Sequence, residues 1–175
     1  MSPARVLSCL LVAAGAALAP FGRCARADVL RSPLGYAVPV PHGWQTRHEV
    51  KAYPDGGKTD MMFTHPPGAF PVFRVEVDPQ RRATMRNAEA MQAAFIQGKM
   101  AGFRVVQQRL RTVAGSPASE TAAVGPFRGQ RVIVDMIYTI HAHRVYTVTL
   151  MTTPRTLKAD VGTFTRILGT LHWTG

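Results

Sequence analysis

Two runs dense in β-branched and aromatic residues, 131–140 and 145–152, stand four residues apart and read as the two strands of an antiparallel hairpin. A lone hairpin is marginal in water, so this pair commits the chain to a larger sheet or to a helix laid across it. The upstream sequence supplies both. Residues 36–40 alternate as a short strand, and Pro39 within it points to an edge, where a missing amide donor is tolerated. Pro41-His42-Gly43-Trp44 turns the chain and 45–51 return as a second strand. Pro54-Asp55-Gly56-Gly57 is turn chemistry, 61–64 form a third strand, and His65-Pro66-Pro67-Gly68 closes it. A fourth strand, 72–77, places Val72, Arg74 and Glu76 on one face and Phe73, Val75 and Val77 on the other.

The period then changes from two to that of a helix. Asn87 is the expected N-cap, Glu89 suits the first turn, and Met91, Ala94, Phe95 and Ala101 are expected on the buried face before Gly102 stops the helix. Residues 103–113 resume extended structure, Gly115-Ser116-Pro117 turns the chain, and 119–124 add a weak strand. Thr153-Pro154 is expected to cap a second helix running to Leu168. Its face carries Leu157, Val161, Phe164 and Leu168, Gly169 ends it, and a short segment follows from Leu171 to Trp173. The fold class is α+β, an antiparallel β-sheet flanked by helices.

Residues 1–27 read as a signal peptide. Arg5 gives a positive start, 6–19 are uncharged and apolar, and Ala25-Arg26-Ala27 offers small residues for cleavage. The expected working protein is a single domain, 28–175, exported to the periplasm or the extracellular space. The uncharged run contains Pro20 and is marginal against the roughly 20 residues a membrane span needs. Cys9 and Cys24, the only cysteines, both lie in the leader, so the exported part carries no thiol for catalysis or metal binding and no disulfide. Val6-Leu7-Ser8 before Cys9 resembles a lipoprotein cleavage site, but a cut there would leave almost no apolar region ahead of it. Cys24, preceded by Gly22-Arg23, is no better, so lipidation is not expected.

The whole chain carries a formal charge of +11, and losing Arg5, Arg23 and Arg26 with the leader brings it to +8. This basicity favours an anionic partner: a protein or an anionic envelope component met through a basic surface, with peripheral membrane contact. The arginines are scattered, and a solvated basic face is the ordinary reading of such a pattern. Nucleic acid is not an expected partner, since no helix-turn-helix, zinc-finger or RNA-binding signature accompanies the charge.

One pair has ligand-like spacing. His141 and His143, taken as alternate residues of a strand, would project to one side and share a metal, with Asp135 or Glu76 as a further ligand if the fold brought it near. Against this, a polar hairpin tip tolerates histidine without using it. Ser116 and Ser119 lack a nucleophile elbow and a neighbouring base. Glu76 and Asp78, the only close acidic pair, read as solvent-facing charges rather than glycosidase carboxylates. Gly56-Gly57 does not follow the strand-to-helix grammar of a phosphate loop. No catalytic residue and no cofactor are expected. Trp44 and Trp173 read as core or rim packing, as does most of the methionine content.

The order of these parts resembles the PsbP/Mog/DcrB superfamily. The resemblance rests on Tyr36-Ala37-Val38-Pro39-Val40-Pro41-His42-Gly43-Trp44, an opening strand that ends in Pro-x-Gly-Trp, and on the C-terminal block. That block runs from Phe127-Arg128-Gly129-Gln130 through the hairpin with Tyr138 and Tyr146 to Thr153-Pro154 and the helix bearing Phe164 and Ile167-Leu168. It covers most of 34–173 and implies an α/β/α sandwich. It also implies a non-catalytic function: an exported binding or accessory domain at the cell envelope, or an extrinsic photosystem II-type subunit. A metal-binding protein using the His-x-His tip is the reading from a different class.

Overall fold

The computed structural model describes residues 28–52, 58–64, 70–78 and 84–174. The expected signal peptide and the turns at 54–57 and 65–68 lie outside these residues. The elements follow in the order β1 (Val29–Ser32), β2 (Tyr36–Pro39), β3 (Gln45–Ala52), β4 (Lys58–Thr64), β5 (Val72–Asp78) and α1 (Met85–Lys99). After these come β6 (Arg104–Val113), β7 (Ser116–Phe127), β8 (Gln130–His141), β9 (Arg144–Thr152), α2 (Leu157–Thr170) and β10 (His172–Trp173). Seven strands form one antiparallel sheet in the order β3-β4-β5-β9-β8-β7-β6, and β1-β2-β10 form a small second sheet. The fold is α+β, as the alternation and the helical periods imply.

Strands β6 to β9 form a meander joined by three two-residue turns. Ala114-Gly115, Arg128-Gly129 and Ala142-His143 all have positive φ at both positions, the signature of the turn whose twist matches paired strands. Strand β7 is twice as long as its propensities imply. Ser116, Pro117, Gly125 and Pro126 are poor strand formers, but β6 and β8 pair with β7 along its length and hold it extended.

The sheet is covered on both faces. On one, Phe73, Val75, Val77, Ile137, Tyr146, Val148 and Leu150 pack against Phe164, Ile167 and Leu168 of α2 and Tyr36 and Val38 of β2. Aromatic edges lock this layer: Phe73 meets Phe164 at 5.6 Å and Tyr36 meets Tyr146 at 5.9 Å. Trp44 and Trp173 pack at the margin of this core, as the sequence implies. On the other face Ala123, Val132, Val134 and Met136 receive Ile96 of α1.

The helices differ from the expected ones in detail. Helix α1 begins earlier, with Thr84 as its cap: its hydroxyl accepts from the Asn87 amide at 3.2 Å. Its buried stripe is Ala88, Gln92 and Ile96, whereas Ala94 and Ala101 are exposed and Phe95 is 47% exposed. The polar Gln92 misled the pattern. It is fully buried, donating to the Met136 carbonyl at 2.9 Å and accepting from the Thr121 hydroxyl at 2.6 Å. Helix α2 starts at Leu157 behind Thr156, not at Thr153-Pro154. Val161 is exposed on it and Asp160 is buried, accepting a hydrogen bond from the Thr152 hydroxyl.

Candidate functional site

Helix α1 packs over β6, β7 and β8 and leaves β5 and β9 open on the same face. A cleft of about 270 Å³ remains there, lined by Phe95, Met100, Phe103, Phe127, Met136 and Met151, among others. Its polar end is the Arg74–Glu76 ion pair, and Arg74 also donates to the Thr59 hydroxyl at 2.8 Å. Glu76 is therefore not a free solvent-facing charge. Its guanidinium partner and the neighbouring apolar wall place it inside the cleft. Methionine and phenylalanine dominate the rest, and thioether chains adapt to occupants of varied shape.

At the C-terminal end of α1 this cleft meets a second depression. The latter, about 440 Å³, is lined by Arg104, Arg131, Val124, Gly102, Gly125 and Gly129 and shares Pro126 with the cleft. The ridge between them is built on glycines. A Cβ on Gly125 would stand 2.7 Å from the Cα of Phe103, and one on Gly102, at φ +79°, would stand 3.1 Å from the Pro126 ring.

Three cations gather here. Arg104 opens β6, Arg131 lies on β8 opposite Pro126, and Arg128 occupies the intervening turn with its guanidinium 5.4 Å from the centroid of Phe127. None of the three has an ion-pair partner among the described residues. Arg109 and Arg111 behave differently, since both donate to the buried Glu120, at 2.6 and 2.5 Å. Arg31, Arg47, Arg86 and Arg155 also lack an ion pair among the described residues, and what sets the corner apart is that its guanidiniums stand together beside a depression. Arg104, Arg109 and Arg111 lie close together in the sequence. The fold separates them, because Glu120 stands opposite Arg109 and far from Arg104 in register.

The face turned away from α1, to which the registers also give Arg104 and Arg131, carries a buried polar cluster. Asp135 shares the side of Glu120 and Arg109, one strand over. Burial first, then the Glu120 charge, raises its carboxyl to about 7, with Arg109 and Arg111 opposing. Its Oδ1 is buried with no hydrogen-bond partner among the described residues. In turn Glu120 raises Arg109, mainly through the hydrogen bond they share.

The two histidines do not stand as alternate strand residues. His141 ends β8 and pairs with Arg144, which leaves Ala142 and His143 as the turn itself, with His143 exposed at φ 61°. His141 stacks on Trp173, centroids 4.4 Å apart and planes 8° from parallel, and its Nδ1 lies 3.4 Å from the Ser116 hydroxyl. Neither further ligand is brought near. Asp135 is six residues along the same strand, about 20 Å at the strand rise, and Glu76 lies on the other face of the sheet. Among the described residues no group of three or more His, Cys, Asp or Glu side chains is placed to hold a metal ion. Nor is any helix among them long and apolar enough to cross a membrane.

No protein-family model and no curated protein sequence matches this chain. Solved structures do. Cyanobacterial PsbP (CyanoP) from Synechocystis sp. PCC 6803 superposes with a TM-score of 0.59 at 14% identity, over 89% of this chain and 98% of that one. LpqN, involved in cell envelope biogenesis of Mycobacterium tuberculosis, gives 0.58 at 16% identity over 87% and 88%. PA94, a protein of unknown function from Pseudomonas aeruginosa, gives 0.53 at 15% identity over 82% and 94%. The chain has a PsbP-like fold, as the order of its motifs implies, and likeness at such identity bears on fold alone.

Proposed function

We propose that this protein is an exported, non-catalytic accessory domain of the cell envelope that engages an anionic envelope component through the Arg104–Arg128–Arg131 corner. The observation that carries the reading is the division of the arginines. Two are consumed by Glu120, while three at the end of the sheet have no acidic partner among the described residues. Guanidinium groups are weakly hydrated and present forked donors, which suits phosphate and carboxylate groups. The leader-like N-terminus and the similarity in fold to an envelope-biogenesis protein support the location.

The test compares the purified protein with an Arg104→Gln/Arg128→Asn/Arg131→Gln variant in co-sedimentation with vesicles of phosphatidylglycerol and phosphatidylcholine. Asparagine tolerates the positive φ of position 128, so the turn survives. The variant is expected to lose most of the association that wild type shows at low salt. Equal sedimentation of the two proteins would remove the corner from the account.

A further inference from the structure

We infer that the cleft beside the arginine corner takes one alkyl chain of an anionic lipid, so that the domain binds the whole amphiphile and not only its charged surface. This deepens the reading above and rests on it for the head group. The geometry points to a chain for three reasons.

First, size. At about 270 Å³ the cleft falls just below the roughly 300 Å³ at which pockets for drug-sized molecules begin, which leaves room for a single slender apolar group. Second, contiguity. Phe127 forms a wall of the cleft and carries the Arg128 guanidinium on its ring, and Pro126 borders both the cleft and the basic depression. A ligand spanning them is apolar at one end and anionic at the other. A free phosphate would use only the corner, and a neutral hydrocarbon only the cleft.

Third, the setting. The registers put Val105 and Leu110 of β6 on the same face as α1 and the cleft and Arg104 and Arg131 on the other, so a ligand joining cleft and corner passes around Pro126 and Phe127 at the end of the sheet. Phe95, Val105, Leu110 and Phe127 are 47, 38, 75 and 37% exposed, so the side of the molecule that opens the cleft is also its apolar side. Contiguous exposed apolar surface rimmed by charge marks a site that meets an apolar phase. On the opposite face α2 and the small sheet cover the core, and Val29, Val106 and Val161 are the remaining exposed large apolar side chains among the described residues.

The experiment titrates the protein by calorimetry with inorganic phosphate and with n-alkyl phosphates from butyl to decyl, all below micelle-forming concentrations, beside vesicle sedimentation. The expected result is affinity that rises about two- to fourfold per methylene until the cleft is full. That gain should collapse in a Phe95→Glu variant, which sets a charge at the mouth from an exposed helical position. A second variant, Ala101→Trp, narrows the mouth from another exposed position and should shorten the chain length at which the gain stops. Affinity that is the same for phosphate and every alkyl phosphate would overturn the inference, and so would a chain-length gain unaltered in both variants. If vesicle sedimentation stays salt-sensitive in that case, the arginine corner stands without the cleft. If vesicles also fail to bind, the functional reading falls with it.

Discussion

The Cα of Phe103 lies 2.7 Å from the point where a Cβ on Gly125 would sit, and the phenyl ring lies closer still. The start of β6 and the end of β7 are therefore in backbone contact, and that contact is the ridge dividing the apolar cleft from the arginine corner. Because the obstruction includes backbone, a Gly125→Ala variant cannot be relieved by a side-chain rotation. Overpacking of this kind costs about 1–3 kcal/mol. The expected outcome is a loss of that size in urea unfolding, accompanied by weaker vesicle association. Unchanged stability would mean that the two strands are not in contact at this point.

Gln92 ties α1 to the sheet. Its amide donates to the Met136 carbonyl, and its oxygen receives the Thr121 hydroxyl. Replacing it with leucine keeps the volume but strands buried polar groups at about 1–3 kcal/mol each. Gln92→Leu is expected to be destabilised in that range, with Gln92→Glu worse at neutral pH because it buries a charge. A Gln92→Leu variant as stable as wild type would show that the polar bridge contributes nothing.

Asp135 gives stability a pH dependence of definite sign. Its carboxyl titrates near 7 in the folded protein and near 3.9 in an unfolded chain, so between those values the folded state holds the extra proton. Its contribution is fully present below about pH 4 and is lost as pH rises through about 7, by up to about 4 kcal/mol. Asp135→Asn removes this slope and should be more stable than wild type at pH 8. Glu120→Gln removes the neighbouring negative charge and should move the transition to lower pH. Urea unfolding of the three proteins from pH 4.5 to 8 reads both effects. A wild-type curve parallel to that of Asp135→Asn would contradict the placement of this carboxyl.

The β8–β9 turn holds two non-glycine residues at positive φ, Ala142 and His143. Left-handed backbone costs an L-residue about 1–2 kcal/mol, and Asn-Gly is the pair such turns favour. Ala142→Asn with His143→Gly should raise stability by about 1–2 kcal/mol in thermal or urea unfolding. His141 remains in that variant, so its stack on Trp173 is retained. A destabilised double variant would argue against this turn.

Where the side-chain period was clean, the fold could be read directly. The faces of 72–77 and the 131–152 hairpin follow from alternation, the antiparallel sheet with helices packed on it follows from the order of the parts, and a helix layer on each side is what the family resemblance implies. Elements held by their neighbours were less legible. Strand β7 is written with serine, proline and glycine, and pairing on both edges overrides those preferences. The buried stripe of α1 was hidden because its central member is a glutamine, and that of α2 because it includes Asp160. The His-x-His spacing depended on whether His143 ended a strand or made a turn, a difference of one residue in register. The arginine corner joins residues from three places, 104, 128 and 131. The strand pairing brings them to one end of the sheet, while Glu120 holds Arg109 and Arg111 elsewhere.

The central claim is that three guanidiniums, of Arg104, Arg128 and Arg131, which have no ion-pair partner among the described residues, meet an anionic envelope component. Its most direct test is the affinity of the purified protein for phosphatidylglycerol-containing vesicles as a function of salt, with phosphatidylcholine vesicles alongside. Screening shortens the reach of exposed charge to about 10 Å at 0.1 M salt and further above it. The account predicts binding to the anionic vesicles that is strong at low salt and fades as salt rises, with none to the neutral ones. Absence of binding at low salt, or equal binding to both kinds of vesicle, would contradict it.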